Sequence, residues 1–237
     1  METRTRQFDR ELNELKKHLI HMAAVAETMI DHAIRELVDR DESLAAQIPQ
    51  WEQEVNRIQI EIDEMVQTLI ATHQPVAGDL RFLLAATKIN SELERIGDLA
   101  VNITQSAPAI LRQPELKPLI DIPRMSELAQ TMVRDSLHAF VKADALLAQS
   151  VISRDDQADA YKNQIIRELL TYMMADPKAI ERAFALILIA RHLERIADHA
   201  TNIAQDIIYM VQGRDVRHPK TAREKPPTEK PPTESRP

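Results

Sequence analysis

Residues 85–103 and 185–203 carry one pattern twice, one hundred positions apart, with ten identities in 19 positions. Both copies contain Glu-Arg-Ile-small-Asp and then an asparagine one turn on. The first is Glu94-Arg95-Ile96-Gly97-Asp98 with Asn102, and the second is Glu194-Arg195-Ile196-Ala197-Asp198 with Asn202. Upstream, Thr28-Met29-Ile30 aligns with Thr131-Met132-Val133, and Leu44-Ala45 with Leu147-Ala148, at an offset of 103. A chain that repeats a unit at this length is built from two copies of one supersecondary structure, so whatever the first copy folds into, the second folds into as well.

The unit is helical. Leu12, Leu15, Leu19, Met22, Ala26, Met29 and Ala33 alternate three and four apart, the seam of a packed helix over about Phe8 to Asp39. Ser43 is positioned to cap a second helix that runs to about Thr72, with Pro49 either kinking it or splitting off a first turn. Its stripe is Val55, Ile58, Ile62, Met65 and Leu69. His73 to Gly78 reads as a turn and Asp79 as the cap of a third helix, whose stripe is Ile89, Leu93, Ile96, Ala100 and Ile103. Pro108 to Pro123 holds four prolines and reads as a linker. The pattern then restarts, with helices from near Met125, Ser153 and Pro177, the last ending near Gly213. These spacings predict an all-α fold of two tandem, internally duplicated three-helix bundles, six helices in all. The first bundle is 8–107, the linker 108–123 and the second bundle 124–213. A Pro-rich, low-complexity tail over 214–237 is expected to be disordered.

Composition narrows the chemistry. Aromatics are 3% and glycines number 3, which disfavours sheet-rich and Gly-loop folds. The absence of cysteine excludes disulfides, thiolate zinc sites, iron–sulfur clusters and cysteine nucleophiles, and fits a reducing compartment. The N-terminal residues begin no apolar signal segment, and the longest apolar run, Ala183 to Ala190, is too short for a membrane span of roughly 20 residues. From Arg214 the tail holds seven basic residues against four acidic ones, so a net charge of −7 conceals a body of about −10. An acidic body disfavours nucleic-acid binding and suits cations or a basic partner.

At about 100° per residue, Glu94, Asp98 and Asn102, and likewise Glu194, Asp198 and Asn202, line one face well away from the core stripe. Two carboxylates one turn apart repel by some tenths of a kcal/mol on a free helix. A hard cation offsets this directly, and the neighbouring Arg95 and Arg195 offer a local alternative. Two carboxylates rarely complete a site. Glu52 and Asn56, and Asp155 and Asp159 in the second copy, also stand at i, i+4 and flank their helix on the matching side. Two surface sites are therefore expected: Glu52/Asn56 with Glu94/Asp98, and Asp155/Asp159 with Glu194/Asp198. The second, with four carboxylates, is the stronger on this count. Asn102, Asn202, Glu27 and Asp135 are further candidate ligands; Glu27 pairs with Asp31, but Gln130 and Arg134 do not echo that pair. His199 is expected to be a surface residue rather than a ligand. An acidic stripe on a helix is most often only a solvated face, and it is the duplicated spacing that raises these residues above that reading.

Taken together, Gln74-Pro75 with Asp79-Leu80-Arg81, Glu92 to Asp98, Leu170-Thr171-Tyr172-Met173-Met174, and Glu194 to Asp198 with Asn202-Ile203 resemble the PhoU family of phosphate-specific transport accessory proteins. The resemblance covers about Phe8 to Gly213. It implies two similar three-helix bundles in a cytoplasmic protein, often a homodimer. It implies a negative regulator of phosphate uptake and of the phosphate-starvation response, linking the phosphate ABC transporter ATPase to a sensor histidine kinase. It also implies surface metal ions (Fe, Mn, Zn or Mg), in some members multinuclear, on Glu/Asp-x-x-x-Asp motifs. Glu94/Asp98, Asp155/Asp159 and Glu194/Asp198 match that motif, whereas Glu52/Asn56 departs from it by an amide. The Pro-rich tail is no part of the family pattern.

The chain is not expected to be an enzyme. A di-iron carboxylate protein needs Glu-x-x-His motifs projecting into the bundle core, and this sequence has none. No nucleophile–base arrangement and no Gly-rich phosphate loop emerges. A metal-independent helical adaptor is the remaining alternative, since an outward charged stripe also suits helix-on-helix recognition.

Overall fold

The computed structural model describes residues 2–217, with side chains from Gln7 onward. Six long α-helices and two short ones form it, with no strand among the described residues. The first repeat holds α1 (Glu2–Asp39), α2 (Ile48–His73) and α3 (Ala77–Ser106), and α4 (Pro108–Leu111) follows. The second holds α5 (Asp121–Lys142), α6 (Ala145–Ile152), α7 (Asp155–Ala175) and α8 (Ile180–Gln212). The disorder expected of the tail falls, from His218 on, outside the described residues.

Local chemistry sets the boundaries. Pro49 occupies the first turn of α2, where its missing N–H is not needed, so it splits off a preceding 3-10 helix (Glu42–Gln47) instead of kinking α2. That 3-10 helix is capped by Asp41, whose carboxylate accepts from the Ser43 N–H at 3.0 Å; Ser43, expected as the cap, is the capped residue. The counterpart at an offset of 103 is Asp144, which accepts from the N–H groups of Leu146 and Leu147 and opens α6, a separate helix that periodicity alone did not separate from its neighbours. Asp79 does not cap α3. The helix starts earlier, with extended Val76 as N-cap and the Asp79 N–H donating to the Val76 carbonyl at 3.2 Å. Asp79 still sits in the first turn, where a carboxylate favours the helix dipole. The proline-rich stretch is not wholly a linker: Pro108 starts the short α4, and α5 begins at Asp121, ahead of Met125. At the far end, Gly213 takes φ +65° and donates its N–H to the Tyr209 carbonyl, closing α8 in a conformation free of steric cost only for glycine.

The apolar stripes read from the sequence are the core. Leu93, Ile96, Ala100 and Ile103 of α3 and Leu193, Ile196, Ala200 and Ile203 of α8 are fully buried. Each large aliphatic side chain so placed stabilises the fold by about 1.5–3 kcal/mol. Helices α1, α2 and α3 pack on one another, as do α5, α7 and α8, and the bundles join through α3 on α8 and α1 on α5. The central pair is antiparallel. Arg81 donates to the Met210 carbonyl at 3.2 Å, Lys88 reaches Asp206 at 2.8 Å, and Glu92 meets His199 at 2.5 Å. This register leaves Glu94, Asp98, Glu194 and Asp198 off the core face, beside α2 and α7 respectively.

Candidate cation grooves on α3 and α8

The second groove lies between α7 and α8. Asp155 and Asp159 open α7 one turn apart, and Glu194 and Asp198 stand on α8. The Thr201 hydroxyl donates to Asp155 at 3.1 Å, tying the helices together. Partial burial raises the Asp198 carboxyl to about 6, and the charges of Glu194, Asp155 and Asp159 add to the shift. Asp155 is raised as well, by burial first, against the Thr201 hydrogen bond and with Asp159, Asp156 and Glu194 pushing upward. The charges of these carboxylates thus act on one another across the groove. A fifth residue joins them. Lys162, one turn past Asp159, places its ammonium 2.5 Å from Asp159 Oδ1 and 2.7 Å from Glu194 Oε1, with its side chain 19% exposed.

The first groove lies between α2 and α3. Helix α2 packs against α3 at Gly97: a Cβ built there would stand 3.4 Å from Val55 Cγ1, an ordinary contact. Val55 lies between Glu52 and Asn56 in sequence, so both flank the level of the Glu94–Asp98 turn. The Glu94 carboxyl is raised, by burial first and then by Asp98, with Arg95 acting against it. Among the described residues, no ammonium or guanidinium forms an ion pair with Glu52, Glu94 or Asp98. Glu52 and Asn56 make no hydrogen bond to the motif.

Both donor sets are hard oxygen ligands, the chemistry that Mn²⁺, Mg²⁺ or Fe³⁺ prefers. Among the described residues, no three His, Asp or Glu side chains already converge as one ion would require. The first groove fits a cation in that none of its three carboxylates is held in an ion pair among the described residues, although Arg95 and His199 act on Glu94 from farther off. The second fits less well, because an ammonium already stands between two of its carboxylates.

The remaining candidates turn to other partners. Glu27 takes Arg134 of α5 at 2.9 Å, across the repeat boundary. Asp135 takes Arg154 at 2.6 Å. At the aligned place in the first repeat, His32 stands edge-on to Trp51, with ring centroids 4.7 Å apart, so the duplication exchanged an aromatic contact for an ion pair. Asn202 donates to Glu92 at 3.3 Å and so faces α3. Asn102 is half-buried on α3. His199 is not the surface residue expected: its side chain is 13% exposed and bonded to Glu92. Lys162 was missed, although one signal for it was present: Gln59 stands at its place in the first repeat, aligned at the offset of 103.

A family model described as the PhoU domain matches residues 19–107 and again 122–207. The chain belongs to the PhoU family. A "Phosphate-specific transport system accessory protein PhoU homolog" of Pseudomonas aeruginosa is 38% identical over 93% of this chain and 92% of its own length. A PhoU homologue of Aquifex aeolicus is 41% identical, over 88% of this chain and 95% of its own. Among solved structures, PhoU from Pseudomonas aeruginosa superposes with a TM-score of 0.83 at 37% identity, over 87% of this chain and all (100%) of that one. The phosphate transport system regulatory protein PhoU from Streptococcus pneumoniae superposes with a TM-score of 0.80 at 28% identity, over 88% of this chain and 99% of that one. The PhoU fold thus accounts for both bundles. Among the described residues, no helix is long and apolar enough to cross a membrane.

Proposed function

We propose that this chain is an accessory regulator of phosphate transport. It acts in the cytoplasm as a homodimeric adaptor between the ATPase of a phosphate ABC transporter and a sensor histidine kinase. It restrains uptake and the phosphate-starvation response when phosphate is plentiful, and carries out no chemistry of its own. The observation that carries this reading is the family match over both repeats, supported by relatives named as accessory and regulatory proteins of phosphate transport. The grooves serve it as charged surface features. In the first, Glu94 and Asp98, with Glu52 and Asn56 opposite, would hold a metal ion such as Mn²⁺, Fe³⁺, Zn²⁺ or Mg²⁺. Such an ion would neutralise the face offered to a partner.

The test is a pull-down with the full chain from native membranes, with and without phosphate. Recovery of the transporter ATPase or the kinase is expected, and reproducible absence of both overturns the reading. The pairing of Lys162 with Asp159 and Glu194 favours a second reading for one groove: adaptor function that needs no metal there.

A further inference from the structure

The two copies of the acidic groove differ at two aligned positions in a coupled way. Where the first repeat has Asn56, the second has Asp159; where the first has Gln59, the second has Lys162. The second groove has thus gained one carboxylate and one ammonium, and the two are in contact at 2.5 Å. The first groove contains three carboxylates (Glu52, Glu94 and Asp98). The second contains four (Asp155, Asp159, Glu194 and Asp198) and one ammonium, so the net charge is the same in both. The Lys162 ammonium also crosses the groove to Glu194 Oε1 at 2.7 Å, joining α7 to α8 as a bridging cation would.

We infer that Lys162 is the resident cation of the second groove: a tethered ammonium that takes the place of a metal ion and keeps this groove metal-free in the natural chain. A metal ion and the ammonium compete for the same two carboxylates, Asp159 and Glu194, in the same space between α7 and α8. An ion entering the groove must therefore break two charge-assisted hydrogen bonds and leave Lys162 without its partners. The ammonium, being covalently attached, has no dissociation step and needs no supply of metal. This reverses the ranking by carboxylate count: in the groove richest in carboxylates, Asp159 and Glu194 already share a cation. The inference rests on the regulator reading only in treating the grooves as cation sites. It concerns the occupant of one of them and not the identity of the partner.

The experiment uses the full chain freed of metal by chelation and titrated with Mn²⁺, the free ion being followed by electron paramagnetic resonance. In the natural chain, Glu194→Gln is expected to leave the Mn²⁺ stoichiometry unchanged. Lys162→Met should add one bound Mn²⁺ per chain, at least about tenfold tighter than any binding at this groove in the natural chain. That ion should be lost again in the Lys162→Met/Glu194→Gln double variant. Lys162→Arg, which keeps the charge, should add none, and it serves as the folded control if Lys162→Met needs Mn²⁺ to fold. Loss of a bound Mn²⁺ in Glu194→Gln alone, or no added ion in Lys162→Met, overturns the inference. Glu94→Gln and Asp98→Asn report on the first groove separately, so failure of the metal reading there is distinguishable from failure here.

Discussion

The Nδ1 atom of His199 stands 2.5 Å from Glu92 Oε2, a contact that joins α8 to α3 across the junction of the two repeats. Burial pushes the Glu92 carboxyl upward. The His199 hydrogen bond and charge, the Asn202 amide and Arg95 outweigh it and hold the group below its usual value. A carboxyl depressed in the folded state stabilises the fold above its unfolded value of 4.5, and that contribution is lost as pH falls through the folded value. Replacing His199 with Leu leaves a half-buried carboxylate short of its partner and is expected to cost about 1–3 kcal/mol at pH 7. Urea unfolding at pH 7 and pH 4 measures it, and an unchanged midpoint at pH 7 would show that the contact carries no stability.

Asp198 behaves with the opposite sign. Its folded value, about 6, lies above the unfolded value of 3.8, so stability is full below 3.8 and is lost as pH rises through about 6. In chelator, Asp198→Asn should therefore raise the melting temperature at pH 7.5 and lose that advantage near pH 3.8. A gain of equal size at both pH values would separate the effect from carboxylate crowding.

Glu36 is 4% exposed and its Oε2 atom is buried without a hydrogen-bond partner. Burial, with a smaller push from Glu42, raises it to about 7. Above that pH the folded protein must hold an ionised carboxylate with one buried oxygen unpartnered and Glu42 nearby. Glu36→Gln, which mimics the neutral acid, should stabilise by up to about 3 kcal/mol at pH 8.5 and by little at pH 4.5. Thermal unfolding across this range checks the crossover, and a pH-independent difference counts against it.

Gly97 lies inside α3, where glycine costs about 1 kcal/mol relative to alanine. A Cβ there meets Val55 Cγ1 at 3.4 Å and Met29 Cε at 3.9 Å, ordinary contact distances, and Ala197 already fills the aligned place. Gly97→Ala should stabilise by about 0.5–1 kcal/mol. Gly97→Leu should overpack the α2–α3 contact and destabilise by about 1–3 kcal/mol. Equal stability of the two variants would mean that α2 does not depend on this close approach.

Much of this was legible in the residues. The three-and-four alternation from Leu12 to Ala33 and from Ile89 to Ile103 gave helices and their buried faces, because that pattern is fixed by the 3.6-residue turn of the same element that carries it. The duplicated Glu-Arg-Ile-small-Asp motif gave the architecture and the outward acidic stripes. Helix starts were less legible. Asp79 has a capping residue's chemistry, yet a backbone bond to Val76 starts α3 without it.

By itself, then, the sequence determined where the six long helices run and which of their faces are apolar, since both depend on neighbours within a few positions, and the repeated pattern determined that the unit occurs twice. Only the tertiary structure decided what each charge meets. Glu194 lies 32 residues from Lys162 and Glu92 lies 107 from His199, yet each pair is in contact. Which side chain neutralises a carboxylate is set by the packing and register of two helices. That register depends on every contact along their length and is not encoded at either residue.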